Sequence, residues 1–166
     1  MQLPALSPRR LAGAAAIACA AALTPAAALA AAAPPAAGAA TARPVTAYVT
    51  SSAGVTPINT ITTTALKAIT VGSFPSAIAI TPNGKTAYVA NTDSNTVTPI
   101  RTATNTALKA IKAGIGPWAI AITPDGKTAY VANLISGTVT PIRTATNTAL
   151  KAINVGSGPF AVAITP

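Results

Sequence analysis

The chain has 166 residues, with 11 Lys and Arg, two Asp, no Glu, no His and a single Cys. A Ser-His-Asp triad is therefore excluded, and a cage of His and Cys ligands for a metal cannot be built. A catalytic carboxylate pair would need Asp93 together with Asp125. From this composition we expect neither a metal nor a cofactor.

The first 30 residues have the three parts of a secretory signal peptide. A basic start ends in Arg9-Arg10, an apolar run covers Leu11 to Leu23, and Ala28-Leu29-Ala30 supplies an A-x-A cleavage site. We predict a signal peptide over residues 1–30 and a chain that is exported to the cell envelope or beyond. Residues 31–43 are rich in Ala and Pro without periodicity, which predicts a linker.

Three alternatives for this segment stay open. Arg9-Arg10 allows twin-arginine export instead of the general route. Cys19, with Ala16-Ile17-Ala18 before it, resembles a lipoprotein box that has Ala16 where Leu is usual, and the interpretation we favour is a small apolar residue that leaves with the signal. Leu11–Ala33 is long enough to span a membrane, but Pro25 interrupts it, so we expect no retained span.

Internal repetition decides the fold of the rest of the chain, residues 44–166. Three near-identical copies cover residues 46–85, 86–127 and 128–166, and the shift from Tyr88 to Tyr130 gives a period of 42 residues. No stretch has the 3.6-residue apolar spacing that a helical solenoid would require.

Each copy carries the pattern of four short strands. At the end of the second copy the alternating Ala119–Ile122 leads into the turn Thr123–Lys127, where Pro, Asp and Gly favour a tight reversal. The following strands are predicted over Thr128–Ala132, Thr138–Arg143 and Ala149–Asn154. Four strands in about 42 residues predict an all-β fold of antiparallel β-propeller blades.

The repeated string P-x-x-[IV]-A-I-T-P-[DN]-G-K-T-A-Y-V-A-N, followed by V-T-x-I and T-A-T-N-T, resembles the YVTN family of β-propeller repeats. The resemblance covers residues 45–166. It implies an exported or surface-associated protein of bacteria or archaea whose relatives usually close seven blades. The chain departs from the family where Asn59, Arg101 and Arg143 replace a common Asp.

Two features concern the completeness of the blades. Pro57, Pro99 and Pro141 remove a ladder donor from the third strand of each copy, so we expect that strand to be bulged or short. Three copies make an incomplete ring, and we expect either a truncated propeller or two chains that close six blades. A last strand around Ala161–Thr165 could also complete the first blade of its own chain.

Two groups of residues are candidates for a binding surface. Ser76, Trp118 and Phe160 follow equivalent prolines at the entry to the innermost strand, near the end of a central channel. The alternative is that these side chains wedge between blades. Lys85, Lys127, Arg101 and Arg143 repeat at matching heights and could form a basic stripe, with a solubilising surface as the alternative.

These observations leave three functions open. The first is a non-enzymatic, exported propeller module with a binding or structural role at the cell envelope. The second is a fragment of a propeller enzyme, a lactonase-like hydrolase or an oxidoreductase, whose catalytic groups lie in other blades. The third is a basic module for an anionic wall polymer or nucleic acid, although no specific nucleic-acid motif is present. Self-association or further blades are the partners we expect.

Overall fold

The computed structural model describes residues 45–166, and the predicted signal peptide and linker lie outside these residues. The described part is all-β and consists of three antiparallel sheets, which confirms the predicted propeller blades. No helix within residues 45–166 is long and apolar enough to cross a membrane.

Each sheet is one blade, and the strands follow one another outward from the innermost strand. Blade 1 contains β1 (Thr46–Ser51), β2 (Gly54–Asn59) and β3 (Thr64–Ala65). Blade 2 contains β4 (Pro75–Ile80), β5 (Thr86–Asn91), β6 (Thr96–Arg101), β7 (Thr106–Ala107) and β8 (Ile111–Lys112). Blade 3 contains β9 (Pro117–Ile122), β10 (Thr128–Asn133), β11 (Thr138–Arg143), β12 (Thr148–Ala149) and β13 (Ile153–Asn154).

The expectation of a bulged or short third strand is wrong. Strand β6 runs its full six residues, and Pro99 lies opposite Tyr88 in an unbroken ladder. The carbonyl of Pro99 accepts a hydrogen bond from Leu108 N at 2.8 Å, so its nitrogen also faces outward, away from β5. No donor is therefore missing between β5 and β6, and Pro57 and Pro141 accept the equivalent bonds from Leu66 and Leu150.

The interruption appears instead in the outermost strand. In blade 2, β7 and β8 pair with opposite ends of β6, and the chain leaves the ladder between them, where Pro99 offers no donor. The same split produces β12 and β13 in blade 3, where a continuous strand over Ala149–Asn154 was predicted. Register shifts occur at the start of the inner hairpins, at Pro75/Ala77 and at Ala132/Asn133.

The apolar core lies between the blades rather than inside any one of them. Between blades 1 and 2, Val55 and Ile69 pack against Ala87, Val89 and Ile100. Between blades 2 and 3 lies a second apolar cluster, and its buried members are Tyr88, Val97, Ile111, Ala129, Val131 and Ile142. Each blade thus contributes two apolar faces, and each interface needs one face from each of two neighbours.

A tyrosine hydroxyl links blade 1 to blade 2 and blade 2 to blade 3. Tyr88 is fully buried, and its hydroxyl donates a 2.6 Å hydrogen bond to Asn147 Oδ1 in blade 3. Tyr48 makes the equivalent bond to Asn105 Oδ1 in blade 2, also at 2.6 Å. Both asparagines have positive φ, a conformation in which Asn is tolerated better than most residues.

The two ends of the array are open within the described residues. Strand β1 pairs with β2 alone, and residues 155–166 form no strand, so the terminal segment does not complete blade 1 of its own chain as expected. The physical reason is the curvature of the array. Three blades of a ring of four to eight do not bring the last segment back to the first strand.

Candidate functional site

The loops at one end of the blades are built by side chains that fix the hairpin between the two inner strands. In blade 2, Thr81 Oγ1 donates to Asn83 Oδ1 at 2.8 Å, and Asn83 Oδ1 also accepts from Lys85 N at 3.0 Å. Gly84 follows with a φ of 68°, which glycine adopts without strain. The hairpin therefore holds Lys85 at a fixed position with its side chain exposed.

A second loop of the same blade is tied to this hairpin and brings an arginine beside the lysine. Thr102 donates through its hydroxyl to Gly84 O at 2.6 Å and through its backbone N–H to Lys85 O at 3.1 Å. Arg101 precedes Thr102 and is exposed. Blade 3 repeats the arrangement, since Thr144 bonds Gly126 O at 2.6 Å and Lys127 O at 3.0 Å, with Arg143 next to it.

The four cations predicted as a stripe thus lie at one end of two adjacent blades, which we call the basic end: Lys85, Arg101, Lys127 and Arg143. In blade 1 the equivalent positions hold Val45 and Asn59, so the stripe does not continue there. The other repeated lysines, Lys67, Lys109 and Lys151, are exposed in the segments that follow the short outer strands β3, β7 and β12.

A single carboxylate lies among these cations. Asp125 Oδ2 is 3.5 Å from Lys127 Nζ, and this is the only ion pair within residues 45–166. The Thr123 hydroxyl, followed by the backbone N–H of Lys127, holds the pKa of Asp125 below its usual value. Blade 2 has Asn83 at the position of Asp125, so Lys85 and Arg101 have no acidic neighbour in the described part of the chain.

A groove of about 800 Å³ opens at the basic end between blades 1 and 2. Lys85 and Arg101 line it together with the apolar side chains of Ile80 and Leu108, and Tyr48 contributes from blade 1. Burial raises the pKa of Tyr48, which stays neutral and donates to Asn105 as described above. The groove therefore offers two cations and an apolar wall, and its described lining holds no carboxylate.

The aromatic candidates lie at the opposite end of the blades from the four cations, because the inner strands begin there and end at the hairpins. Ser76 Oγ lies 3.2 Å from the carbonyl oxygens of both Pro117 and Trp118, so it contacts the next blade. Trp118 is 37% exposed and Phe160 is 67% exposed. The seven predicted residues therefore form two separate groups rather than one surface.

One residue at this end was missed by the sequence analysis. Phe74 is 54% exposed and has a φ of 53°, at the position where the other copies carry Gly116 and Gly158. In the sequence, an aromatic residue at a position where the other two copies have glycine could have identified Phe74 as a candidate. The hydrogen bonds from tyrosine to asparagine between blades were also missed, although T-A-T-N-T repeats with the same period as Tyr88 and Tyr130.

Among the described residues, no group of three or more His, Cys, Asp or Glu could hold a metal ion. Asp93 lies in the turn between β5 and β6, where its backbone N–H donates to Ser73 O at 3.3 Å. Its equivalent in blade 3 is Ile135, which cannot act as a ligand.

Residues 44–155 match the family described as Lactonase, 7-bladed beta-propeller. The chain belongs to this family. The match agrees with the propeller blades seen in the structure. No curated protein matches the chain.

Several solved structures are similar to this lactonase-family chain. Hydrazine synthase of Kuenenia stuttgartiensis is 31% identical with a TM-score of 0.66, over 70% of this chain and 34% of that one. A functionally unknown protein of Desulfotomaculum acetoxidans is 25% identical with a TM-score of 0.59, over 67% and 38%. A putative 6-phosphogluconolactonase of Bacteroides fragilis, at 23% identity and a TM-score of 0.58 over 69% and 37%, shows the fold alone. The chain thus spans less than two fifths of the length of these structures.

Proposed function

We propose that this chain is an exported, non-enzymatic binding module of the lactonase propeller family that holds an anionic polymer at its basic end. The observation that carries the proposal is the position of Lys85, Arg101, Lys127 and Arg143 at one end of two adjacent blades, with Asp125 as the only opposing charge there. Cations held by fixed loops attract a polyanion by releasing its counterions, and the number of charges neutralised sets the salt dependence.

A charge-matched pair of variants tests this function, with heparin as the probe. The basic-end variant changes Lys85, Arg101, Lys127 and Arg143 to Gln. The control variant changes the same number of exposed cations at the outer rim of the blades to Gln: Lys67, Lys109, Lys112 and Lys151. Both variants lose the same net charge, so only the position of the charge differs.

We expect the basic-end variant to bind heparin at least ten times more weakly than the control. The slope of log affinity against log salt should fall by roughly three to four in that variant, about one for each cation removed. Equal losses of affinity in both variants would show that net charge alone is responsible and would contradict the proposal.

The export part of the proposal rests on residues 1–30 and on the resemblance to YVTN repeats, which implies an exported or surface-associated protein. Expression of the full chain in a bacterial host, followed by mass spectrometry of the exported fraction, tests it. We expect a product that begins at Ala31. A full-length product retained in the cytoplasm would contradict export. A product that begins at a lipid-modified Cys19 would show that the exported chain is anchored to a membrane by its lipid instead of being cleaved after Ala30.

A second function, a lactonase-like hydrolase, is favoured by the family match over residues 44–155. The groove between blades 1 and 2 would then bind the substrate, with Lys85 and Arg101 holding its acidic part and other blades supplying the acid and base groups. A panel of sugar lactones tests this function. Because the acid and base groups would come from other blades, the readout is binding: binding of an acidic sugar lactone by the full chain that is lost when Lys85 and Arg101 are changed to Gln would support this function. Binding that is unaffected by the two substitutions would contradict it.

A further inference from the structure

Two apolar faces of the array have no neighbour among the described residues. The trailing face of blade 1 consists of Ala47, Val49 and Ile58, and Val49 is 47% exposed. The leading face of blade 3 consists of Tyr130, Val139, Ile153 and Val155, of which Ile153 is 49% and Val155 51% exposed. Apolar faces of this kind are usually covered by a partner.

The internal interfaces show what fits these faces. Blade 2 presents Ala87, Val89 and Ile100 to blade 1, and these are the same residue types as in the trailing face. Blade 1 presents the equivalents of the leading face to blade 2: Tyr48, Val55, Ile69 and Val71. The leading face of blade 3 is therefore complementary to the trailing face of blade 1, in the same way that the faces within the chain are complementary.

The edges of the sheets give an independent observation. The inner edge of β1 is unpaired within the described residues, whereas β5 and β10 each have an inner neighbour. Residues 159–165 read PFAVAIT, the equivalent of PSAIAIT in β4 and the turn after it, but form no strand. By the register of β4 on β5, Ala161 would lie opposite Thr50, Val162 opposite Val49 and Ala163 opposite Tyr48.

We infer that a second copy of this chain covers both faces. The leading face of one copy binds the trailing face of the other, and residues 159–165 become the inner strand of the partner copy's blade 1. Two such contacts, related by a twofold axis, close a ring of six blades, within the range of four to eight known for propellers. The open inner edge of β1 in each copy is paired by the same event.

Blade 1 departs from the repeat at one position of this interface. Asn105 and Asn147 each accept a hydrogen bond from the tyrosine hydroxyl of the preceding blade. At the equivalent position blade 1 has Thr63, with a φ of 52°. The Thr63 hydroxyl bonds its neighbour Thr62 O at 2.7 Å. The contact between copies therefore lacks one hydrogen bond that both internal interfaces have, and it is expected to be weaker than they are.

Sedimentation velocity of the full chain across micromolar concentrations tests the assembly. We expect a concentration-dependent change from one copy to two. Val49→Asp should abolish the dimer, because it places a charge on the trailing face, while Ala110→Asp on the outer rim of blade 2 should leave it intact. Val49 is exposed in the single copy, so that variant is expected to fold, with an unchanged circular dichroism spectrum. A monomer at every concentration, a dimer insensitive to Val49→Asp, or open assemblies larger than two copies would overturn the inference.

Oxidative crosslinking tests the position of the terminal strand. In a Cys19→Ser background, one preparation carries Thr50→Cys and another carries Ala161→Cys, so that a disulfide can form only between copies. We expect rapid crosslinking of this mixture and little crosslinking of Val49→Cys with Ala161→Cys, because neighbouring residues of a strand face opposite sides. If instead a single chain carrying both Thr50→Cys and Ala161→Cys crosslinks only to itself, the strand closes its own ring and the inference fails.

The variant Thr63→Asn should strengthen the dimer. It restores the acceptor for Tyr130 at both contacts of the ring, and two net hydrogen bonds together correspond to roughly a 25- to 100-fold tighter association. Thr63→Gly is the control, because it relieves the positive φ without supplying an acceptor. The gain should disappear in Thr63→Asn combined with Tyr130→Phe, and an equal gain in both position-63 variants would exclude a hydrogen bond between copies.

Discussion

The first blade and the second blade carry almost the same strand but differ in what lies against it. Strand β1 reads TAYVTS and β5 reads TAYVAN, yet Val49 is 47% exposed while Val89 is completely buried. Blade 1 covers the face that holds Val89, and no described residue covers the face that holds Val49. The strand is thus specified by its own sequence, and its burial is specified by a neighbouring blade.

The largest expected effect comes from an apolar truncation made at equivalent positions of the two blades. Ile100 is completely buried between blades 1 and 2, so Ile100→Ala should lower the free energy of unfolding by about 2–4 kcal/mol. Ile58→Ala, at the equivalent position of the open face, should cost less than about 1 kcal/mol in dilute protein. Urea denaturation of both variants measures the difference, and equal losses of stability would mean that the open face is covered in the single chain.

A smaller effect is expected from the tyrosine link. Tyr88→Phe removes the 2.6 Å hydrogen bond to Asn147 and leaves a partly buried amide oxygen without its donor, at a cost of about 1–2 kcal/mol. Tyr130 has no hydrogen-bond partner within the described residues, so Tyr130→Phe should be close to neutral in the monomer. Thermal unfolding at low concentration compares the two variants. A larger loss of stability for Tyr130→Phe would contradict the assignment of the open end.

The smallest expected effect is on the loss of thermal stability at alkaline pH, compared between the chain with and without its two buried tyrosine hydroxyls. Burial raises the pKa of Tyr48 and of Tyr88 in the folded chain above the usual value of 10.0. The folded state therefore favours the neutral phenol, and this stabilisation is complete below pH 10 and lost as the pH rises through the folded pKa. We expect the decline in melting temperature above pH 10 to be shallower in Tyr48→Phe/Tyr88→Phe, and an unchanged decline would contradict the burial of these hydroxyls.

The parts of the fold that sequence predicted are those that depend on local chemistry. The turn Thr123–Lys127 is fixed by hydrogen bonds between residues a few positions apart, such as the one from Lys127 N to Asp125 Oδ1 at 3.0 Å. Such local contacts can be predicted from the residue types in the sequence. The split outer strand was not predicted, because it depends on which neighbouring strand the nitrogen of Pro99 faces. That direction is a property of the assembled sheet.

The candidate site was predicted only as a set of residues. The repeat identified the four cations, but their shared end depends on Thr102 and Thr144, whose bonds to the hairpins join residues 18 positions apart. The aromatic residues follow the same prolines in each copy, which gave no indication that they lie at the other end of the blades. The hydrogen bond from Tyr48 to Asn105 joins residues that are 57 positions apart and lie in different sheets, so no local sequence pattern could predict it.

Hydrogen exchange measured by mass spectrometry tests most directly the claim that a neighbouring blade decides burial. Peptides that extend past β5 to Asp93 and past β10 to Ile135 distinguish the two identical strands, and a third peptide covers β1. In the dilute full chain we predict strong protection of β5 and β10 and fast exchange of β1, with the protection of β1 rising as the concentration is increased. Protection of β1 equal to that of β5 at the lowest concentration would contradict the account.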